Sequence, residues 1–440
     1  MSTARGTRPV RIANCSGFYG DRISAAREMV EGGPIDVLTG DWLAELTMLI
    51  LHKARRRNAE AGYATTFLTQ MEQVLGTCID RGIRVVTNAG GLNPAGCADR
   101  VREIADRLGL RVNVAHIEGD DLMDRIDGLR PHLAHLDTGA PFVVDAVSAN
   151  AYLGAWGIVE ALGAGADVVV CPRVTDASVV VGPAAWWWGW GRTDWDRLAG
   201  AVAAGHVIEC GAQTTGGNYS FFGEIPNPAR PLGFPIAEVD DDGSCVITKH
   251  EGTGGLVSVG TVTAQVLYEI AAPGYPNPDV VARFDTMQLE QVGADRVRIS
   301  GTRGEPAPPT TKVCINYEGG FRNRMTFCTH TGAGHRSSAH HGQGSRRAQG
   351  GTGLLERGGR AVAREHPRIL RDGRAVGCAG VRRVLACTRA RRRGRPHRGP
   401  RRRAPRAHCS IAHGTRRSTD RRAVAARHRS RTAAAGTAAR

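Results

Sequence analysis

The sequence of 440 residues predicts an α/β protein: a mainly parallel sheet with flanking helices, then a smaller α+β domain, then an Arg-rich tail. Three observations carry this. Short apolar runs in the first 225 residues each lead into a Gly/Asn/Asp turn and then a helical pattern, the mark of crossover units on a parallel sheet. Prolines crowd in at Pro226, Pro228, Pro231 and Pro235, and β-rich segments replace the helices. After Phe327 every aromatic residue disappears. The expected boundaries are therefore 1–225, 226–327 and 328–440.

In chain order, residues 10–13 form the first strand, followed by a turn through Asn14, Ser16, Gly17 and Asp21 and a helix over 22–31. Residues 35–38 lead to Asp41 and Glu45 and a long helix through Leu46 and Leu49. Residues 83–86 lead to Asn88, Gly90, Gly91 and Asn93, where Asn93 is placed to cap a helix opened by Pro94. Further strands are expected at 111–115, 142–147, 167–171 and 206–209. An open sheet is favoured, with a barrel as the alternative, since seven candidate strands do not decide between them. In the second domain strands are expected at 245–249, 256–259, 296–300 and 312–317. The run Trp186-Trp187-Trp188-Gly189-Trp190 reads as core or inter-subunit packing, with a lid over an apolar substrate as the sharper alternative.

The net charge of +16 describes no part of the chain. Residues 1–327 carry 29 Lys and Arg against 38 Asp and Glu, whereas residues 328–440 carry 29 Arg against four acids. A segment with no aromatic residue, no Met and no Asn cannot bury enough apolar surface to offset its ordering entropy, so disorder is expected. The tail lacks stacking aromatics, which disfavours a nucleic-acid partner. Out-of-frame translation of a GC-rich gene yields the same Arg, Ala, Gly, His and Ser bias and is the favoured reading of 328–440. It implies that the domain over 226–327 is truncated, and the gene's three reading frames test it. Residues 1–9 are polar with no apolar run behind them, which argues against a secretory signal, and no stretch is long enough to span a bilayer. Seven cysteines without Cys-x-x-Cys spacing precede residue 328. A cytoplasmic protein with reduced thiols is expected, with no membrane partner and a homo-oligomer left open.

Ligands of parallel α/β sheets gather at the carboxyl ends of the strands. Polar groups of this chain sit at those turns, where they also serve as helix caps in any such fold. The catalytic candidates are Asp41, Glu45, Asp176 and Lys249, the last one of only three lysines. The substrate-binding candidates are Asn14, Ser16, Gly17, Asp21, Asn88, Gly90, Gly91, Asn93, Asn150, Arg173, Thr215 and Gly216. Two Gly-rich loops, 210–218 and 249–255, offer N–H and hydroxyl donors to a phosphate or a developing oxyanion. Nucleotide-binding glycine signatures, a Gly-x-Ser-x-Gly elbow and His-Glu-x-x-His are absent. His132 and His135 have helical spacing, but no residue is assigned to a metal.

Several of these segments, taken together and in order, resemble one family. They are Ser16-Gly17-Phe18-Tyr19-Gly20-Asp21-Arg22, the turn from Asn88 to Pro94, the run from Gly165 to Asp176, the run from Ala204 to Asn218, and Lys249 to Gly255. Over about residues 9–327 the chain is similar to the acyclic terpene utilisation (AtuA) family, departing from it at Cys171-Pro172, where Thr-Gly is expected before Arg173. The resemblance implies a bacterial cytoplasmic protein in the catabolism of acyclic terpenes or branched acids, a pathway run on coenzyme A thioesters. An acyl-CoA or carboxylate substrate, with hydratase or lyase chemistry, is the expectation. No cofactor is implied beyond coenzyme A as part of the substrate. A non-catalytic partner of a carboxylase complex is the alternative, and nucleic-acid binding through the tail the second.

Overall fold

A computed structural model describes residues 5–227, 229–319, 321–329 and 338–346. Its elements begin with β1 (Val10–Asn14), α1 (Ala25–Glu31), β2 (Val37–Gly40), α2 (Glu45–Arg55), α3 (Thr65–Arg81) and β3 (Arg84–Gly91). There follow α4 (Pro94–Arg107), β4 (Val114–His116), a short α5 (Ile126–Leu129), β5 (Ala146–Ala151), α6 (Trp156–Gly163) and β6 (Val168–Pro172). Next come α7 (Ser178–Trp188), α8 (Trp195–Glu209), β7 (Pro235–Val239), β8 (Cys245–Lys249) and α9 (Val259–Val266). The last are β9 (Gly274–Pro276), β10 (Val281–Arg283), β11 (Gln288–Gly293), β12 (Arg296–Ser300), β13 (Arg303–Glu305), β14 (Val313–Tyr317), β15 (Phe321–Thr329) and β16 (Ser338–Arg346).

Nine of the strands form one sheet in the order β11-β12-β8-β7-β1-β2-β3-β6-β4. The pairs from β1 to β4 are parallel, and those from β1 to β11 are antiparallel. The order has two different ends, so the sheet is open and mixed rather than purely parallel. It also runs through the expected boundary at residue 225, because β7 pairs with β1, and one compact unit covers Met1–Gly319. Three-stranded β13-β10-β9 and two-stranded β14-β5 sheets complete this unit. Beyond it, β15 and β16 pair antiparallel, with Phe321 opposite Arg346 and Thr329 opposite Ser338. The expectation of a disordered tail falls mostly on residues 347–440, outside the described residues.

Two cores sandwich the sheet, and the strands feed both through their period of two. In β1, Ile12 joins the core under α6, α7 and α8, while Ala13 joins the core under α1, α3 and α4. In β6, Val169 faces the first core and Val168 and Val170 the second. The tryptophan run belongs to the packing reading. Trp187 and Trp190 are buried, and the indole N–H groups of Trp187 and Trp188 donate to the carbonyls of Arg8 and Val239.

Three sequence expectations need correction. Residues 206–209 are the last turn of α8, not a strand. That helix is buried on nearly every side, so it shows no amphipathic period to distinguish it from a short apolar strand. Residues 256–259 lead into α9, with Ser258 capping it through Thr261. The strand expected at 142–147 lies at Ala146–Ala151 and pairs with β14 outside the main sheet, so Ser148 and Asn150 sit within it rather than after it. One close contact matters for the site. A methyl group added at Gly205 in α8 would meet the backbone of Ala177 at 2.8 Å, so helix and turn touch directly.

Candidate active site

The turns after β1, β2, β3 and β6 converge with the C-terminal end of α8. Asp41 follows β2 and is buried; its Oδ1 accepts from Asn88 Nδ2 at 2.5 Å and from Leu43 N at 3.3 Å. Asn88 lies within β3, and its own Oδ1 accepts from Trp42 N at 2.8 Å, which fixes the amide's orientation. After β6 comes Arg173, which is 2% exposed. Its Nη1 donates to Asp176 Oδ1 at 2.6 Å, its guanidinium lies 4.2 Å from the centre of the Tyr152 ring, and its backbone N–H donates to Asp120 Oδ2 at 3.2 Å. Asn150 reaches the same Asp120 oxygen at 2.8 Å. Asn14 closes the opposite side, donating to the carbonyl of Glu209 at 3.0 Å.

This pocket holds more buried acid than base. Asp41 is raised well above the usual carboxylate range by desolvation, then by the nearby charges of Asp176 and Glu209, against which Arg173 and Asn88 pull only partly. Glu209 is raised in the same direction, by desolvation and then by Asp176 and Glu269. Asp120 is pushed up to about 6, chiefly by burial. Arg173 stays firmly charged: burial opposes this, but Asp176, Tyr152 and Asp41 outweigh it. Glu45, at the start of α2, behaves oppositely. Burial opposes its ionisation, but a hydrogen bond from Tyr152 and the proximity of Lys312 hold it at about 2. Tyr152 thus links Glu45 to Arg173.

Other sequence candidates use their side chains or backbone in local structure, although the Ser16 carbonyl accepts from Asp41 N at 2.9 Å. Asp21 accepts from Gly17 N and Arg22 N, and so shapes its own loop. Gly17 backs onto Cys210, where a methyl group would meet the carbonyl oxygen at 2.6 Å. Ser16 Oγ donates to the Phe18 carbonyl. Gly90 and Gly91 end β3, and Asn93 caps α4 by accepting from Gly96 N at 2.9 Å. Thr215, beside Gly216, donates to the Gly233 carbonyl at 2.7 Å. Lys249 pairs with Asp295 at 2.9 Å. Sequence reasoning passed over Glu209, His206, Gln265 and Tyr152, and placed Asp120 at a strand-end turn without giving it a role. A signal existed for two of them: His206 and Glu209 are the polar pair, one helical turn apart, that ends an Ala- and Gly-rich run.

Among the described residues no group of three or more His, Cys, Asp and Glu is arranged to hold a metal ion, and no helix is long and apolar enough to cross a membrane. A separate cavity of about 230 Å³ lies at the other end of α8, lined by Asp196, Gly200, Ser300, Thr302 and Arg303, and shares no residue with the pocket.

Fold and pocket together define an open mixed-sheet α/β protein with a buried carboxyl–arginine cluster at its parallel strand ends. The chain belongs to the acyclic terpene utilisation family: the family's pattern, described as acyclic terpene utilisation family protein AtuA, matches residues 10–343. The match extends past Phe327 into β16 and leaves the Arg-rich remainder uncovered. No curated protein and no solved structure matches the chain.

Proposed function

We propose that the pocket binds an acyl-CoA or a branched carboxylic acid and performs proton transfer of the hydratase or lyase kind on it. The observation that carries this reading is the crowding of Asp41, Asp176 and Glu209 around Arg173, where the end of α8 meets the strand ends at which ligands of parallel sheets bind. A carboxyl group raised toward neutral pH is a competent proton carrier there, since it gives and takes a proton at little cost. Asp41 is the group best held for that work, because Asn88 fixes its position while burial tunes its affinity. Arg173 offsets the negative charge of a thioester enolate as it forms. Glu45, held ionised by Tyr152 and Lys312, anchors rather than exchanges protons.

The test is calorimetry of the full chain against a panel of branched and straight acyl-CoAs and free acids, with turnover followed on any that bind. Asp41→Asn keeps both hydrogen bonds to Oδ1 and removes the proton, so turnover should fall by about 10²–10⁴-fold with the fold intact. Absence of binding across the panel refutes the acyl-CoA reading. Binding without turnover points instead to a non-catalytic partner of a carboxylase complex, and turnover unaffected by Asp41→Asn takes the proton transfer away from Asp41.

A further inference from the structure

His206 and Glu209 end α8 one turn apart, and they are 1% and 3% exposed. His206 Nε2 lies 3.0 Å from the Gln265 backbone oxygen. A carbonyl oxygen only accepts, so Nε2 carries a hydrogen. On the other side of the ring, Nδ1 lies 3.1 Å from Glu209 Oε1. Two arrangements satisfy that contact. An imidazolium donates to a carboxylate, or a protonated carboxyl group donates to a neutral imidazole; each places one proton between the residues.

The surroundings choose between them. The rings of Tyr275 and Phe284 flank His206 at 5.6 and 5.5 Å, an environment that disfavours a cation. Burial lowers His206, while burial and then Asp176 raise Glu209. The charged groups acting on the pair are Asp176 and Arg173 from the turn after β6, Glu269 after α9, and Asp41 after β2. Acids outnumber the single arginine, so a second carboxylate charge is unwelcome and the proton rests on Glu209. Its other oxygen, Oε2, is buried with no partner, and so is Gln265 Oε1. Buried acceptors left unpaired in this way call for a donor.

We propose that Glu209 and His206 are a relay holding one shared proton, and that Glu209 Oε2 receives the O–H of a water molecule or substrate hydroxyl. The relay rests on the acyl-CoA reading given above. In the hydration direction, the water oxygen bonds to the β-carbon of an unsaturated acyl thioester, and the electron pair of the C=C bond moves onto the thioester as an enolate. The water proton goes to Oε2, and the proton on Oε1 passes to His206 Nδ1. Asp41 in its acid form protonates the α-carbon, and the extra proton on the pair restores Asp41. The net change is addition of one water: its O–H stays on the β-carbon, the α-carbon takes the proton of Asp41, and the proton released by the water replaces it on Asp41.

Nitrogen NMR of the histidines in the full chain should show His206 as a neutral ring carrying its proton on Nε2. Infrared spectra at neutral pH should show a protonated carboxyl band that shifts in D2O, survives Asp41→Asn and is lost in Glu209→Gln. An imidazolium at His206, or a band unchanged by Glu209→Gln, overturns the shared proton. The NMR arm uses the wild-type chain, so it decides even where the variant fails to fold. Glu209→Gln should also lose about 10²–10⁴-fold in turnover while still binding acyl-CoA. Wild-type turnover in that variant overturns the relay and leaves the acyl-CoA reading standing. Absence of acyl-CoA binding to the wild-type chain removes that reading and the relay step with it.

Discussion

Two buried cations lie at the same end of the sheet's strands, on β8 and just after β6, and they are finished differently. Lys249 ends β8 opposite Pro235, which leads β7 along β1 to the level of Asn14. Its ammonium has one carboxylate, Asp295, and donates to the Thr253 carbonyl at 3.2 Å; its neighbour His250 is tied to the Met29 carbonyl at 2.9 Å. Arg173 has one direct carboxylate partner, two further carboxyl groups acting on it or on each other, and an Nε with no partner. Buried polar groups are ordinarily satisfied, so a corner with every group matched reads as structure and a corner with groups left over reads as a place kept for something else. The two corners differ in completion, not in residue type.

The sharpest way to break the contrast is to remove each cation. Arg173→Met should destabilise by about 3–5 kcal/mol in urea denaturation at neutral pH, because it leaves Asp176 and its neighbours without compensation. A loss no larger than that at Lys249 would mean the corners are alike.

The next largest effect is a pH dependence at Asp120, which supports the Arg173 backbone. Its pKa rises from 3.8 to about 6 on folding. The folded chain therefore binds this proton more tightly than the unfolded one. The stability so gained is complete below about pH 4 and is lost as pH rises through about 6, by about 3 kcal/mol in all. Asp120→Asn keeps the acceptor for Asn150 and Arg173, and should flatten the denaturation profile across that window. An unchanged slope would show that Asp120 does not feel the burial assigned to it.

Lys249→Met should give the smallest change, about 1–2 kcal/mol, since Asp295 is one-third exposed and can return to water. Its ligand binding, measured by the same calorimetry as the wild type, should be unaltered. A loss of binding there would return Lys249 to the pocket and erase the contrast.

The parallel half was legible because its strands alternate with helices and its turns carry Asn, Asp and Gly at each strand end. Asp41, Asn88, Arg173 and Asp176 could be picked from those turns alone, since each lies within a few residues of an apolar run. Lys249 stood out for rarity, and rarity carries no information about whether a partner waits for it. Glu209 was passed over because α8 is apolar on every face, which hides both its helical period and the meaning of a single acid at its end. The joining of β7 and β8 to β1 was equally hidden, for proline-rich connections say where elements end and not which strand they will pair with.

The contact of Gly205 with Ala177 has a wider consequence. Ala177 follows Asp176 directly, and Gly205 lies one turn before Glu209, so the missing side chain lets helix and turn meet backbone to backbone. Arg173 attracts both acids, as the direct partner of Asp176 and a nearby charge for Glu209. Behind them, the contact of Gly205 with Ala177 brings the main chains that carry both acids close together. Burial contributes most to the proton affinity of Glu209, and the missing methyl group adds the nearness of Asp176 to it.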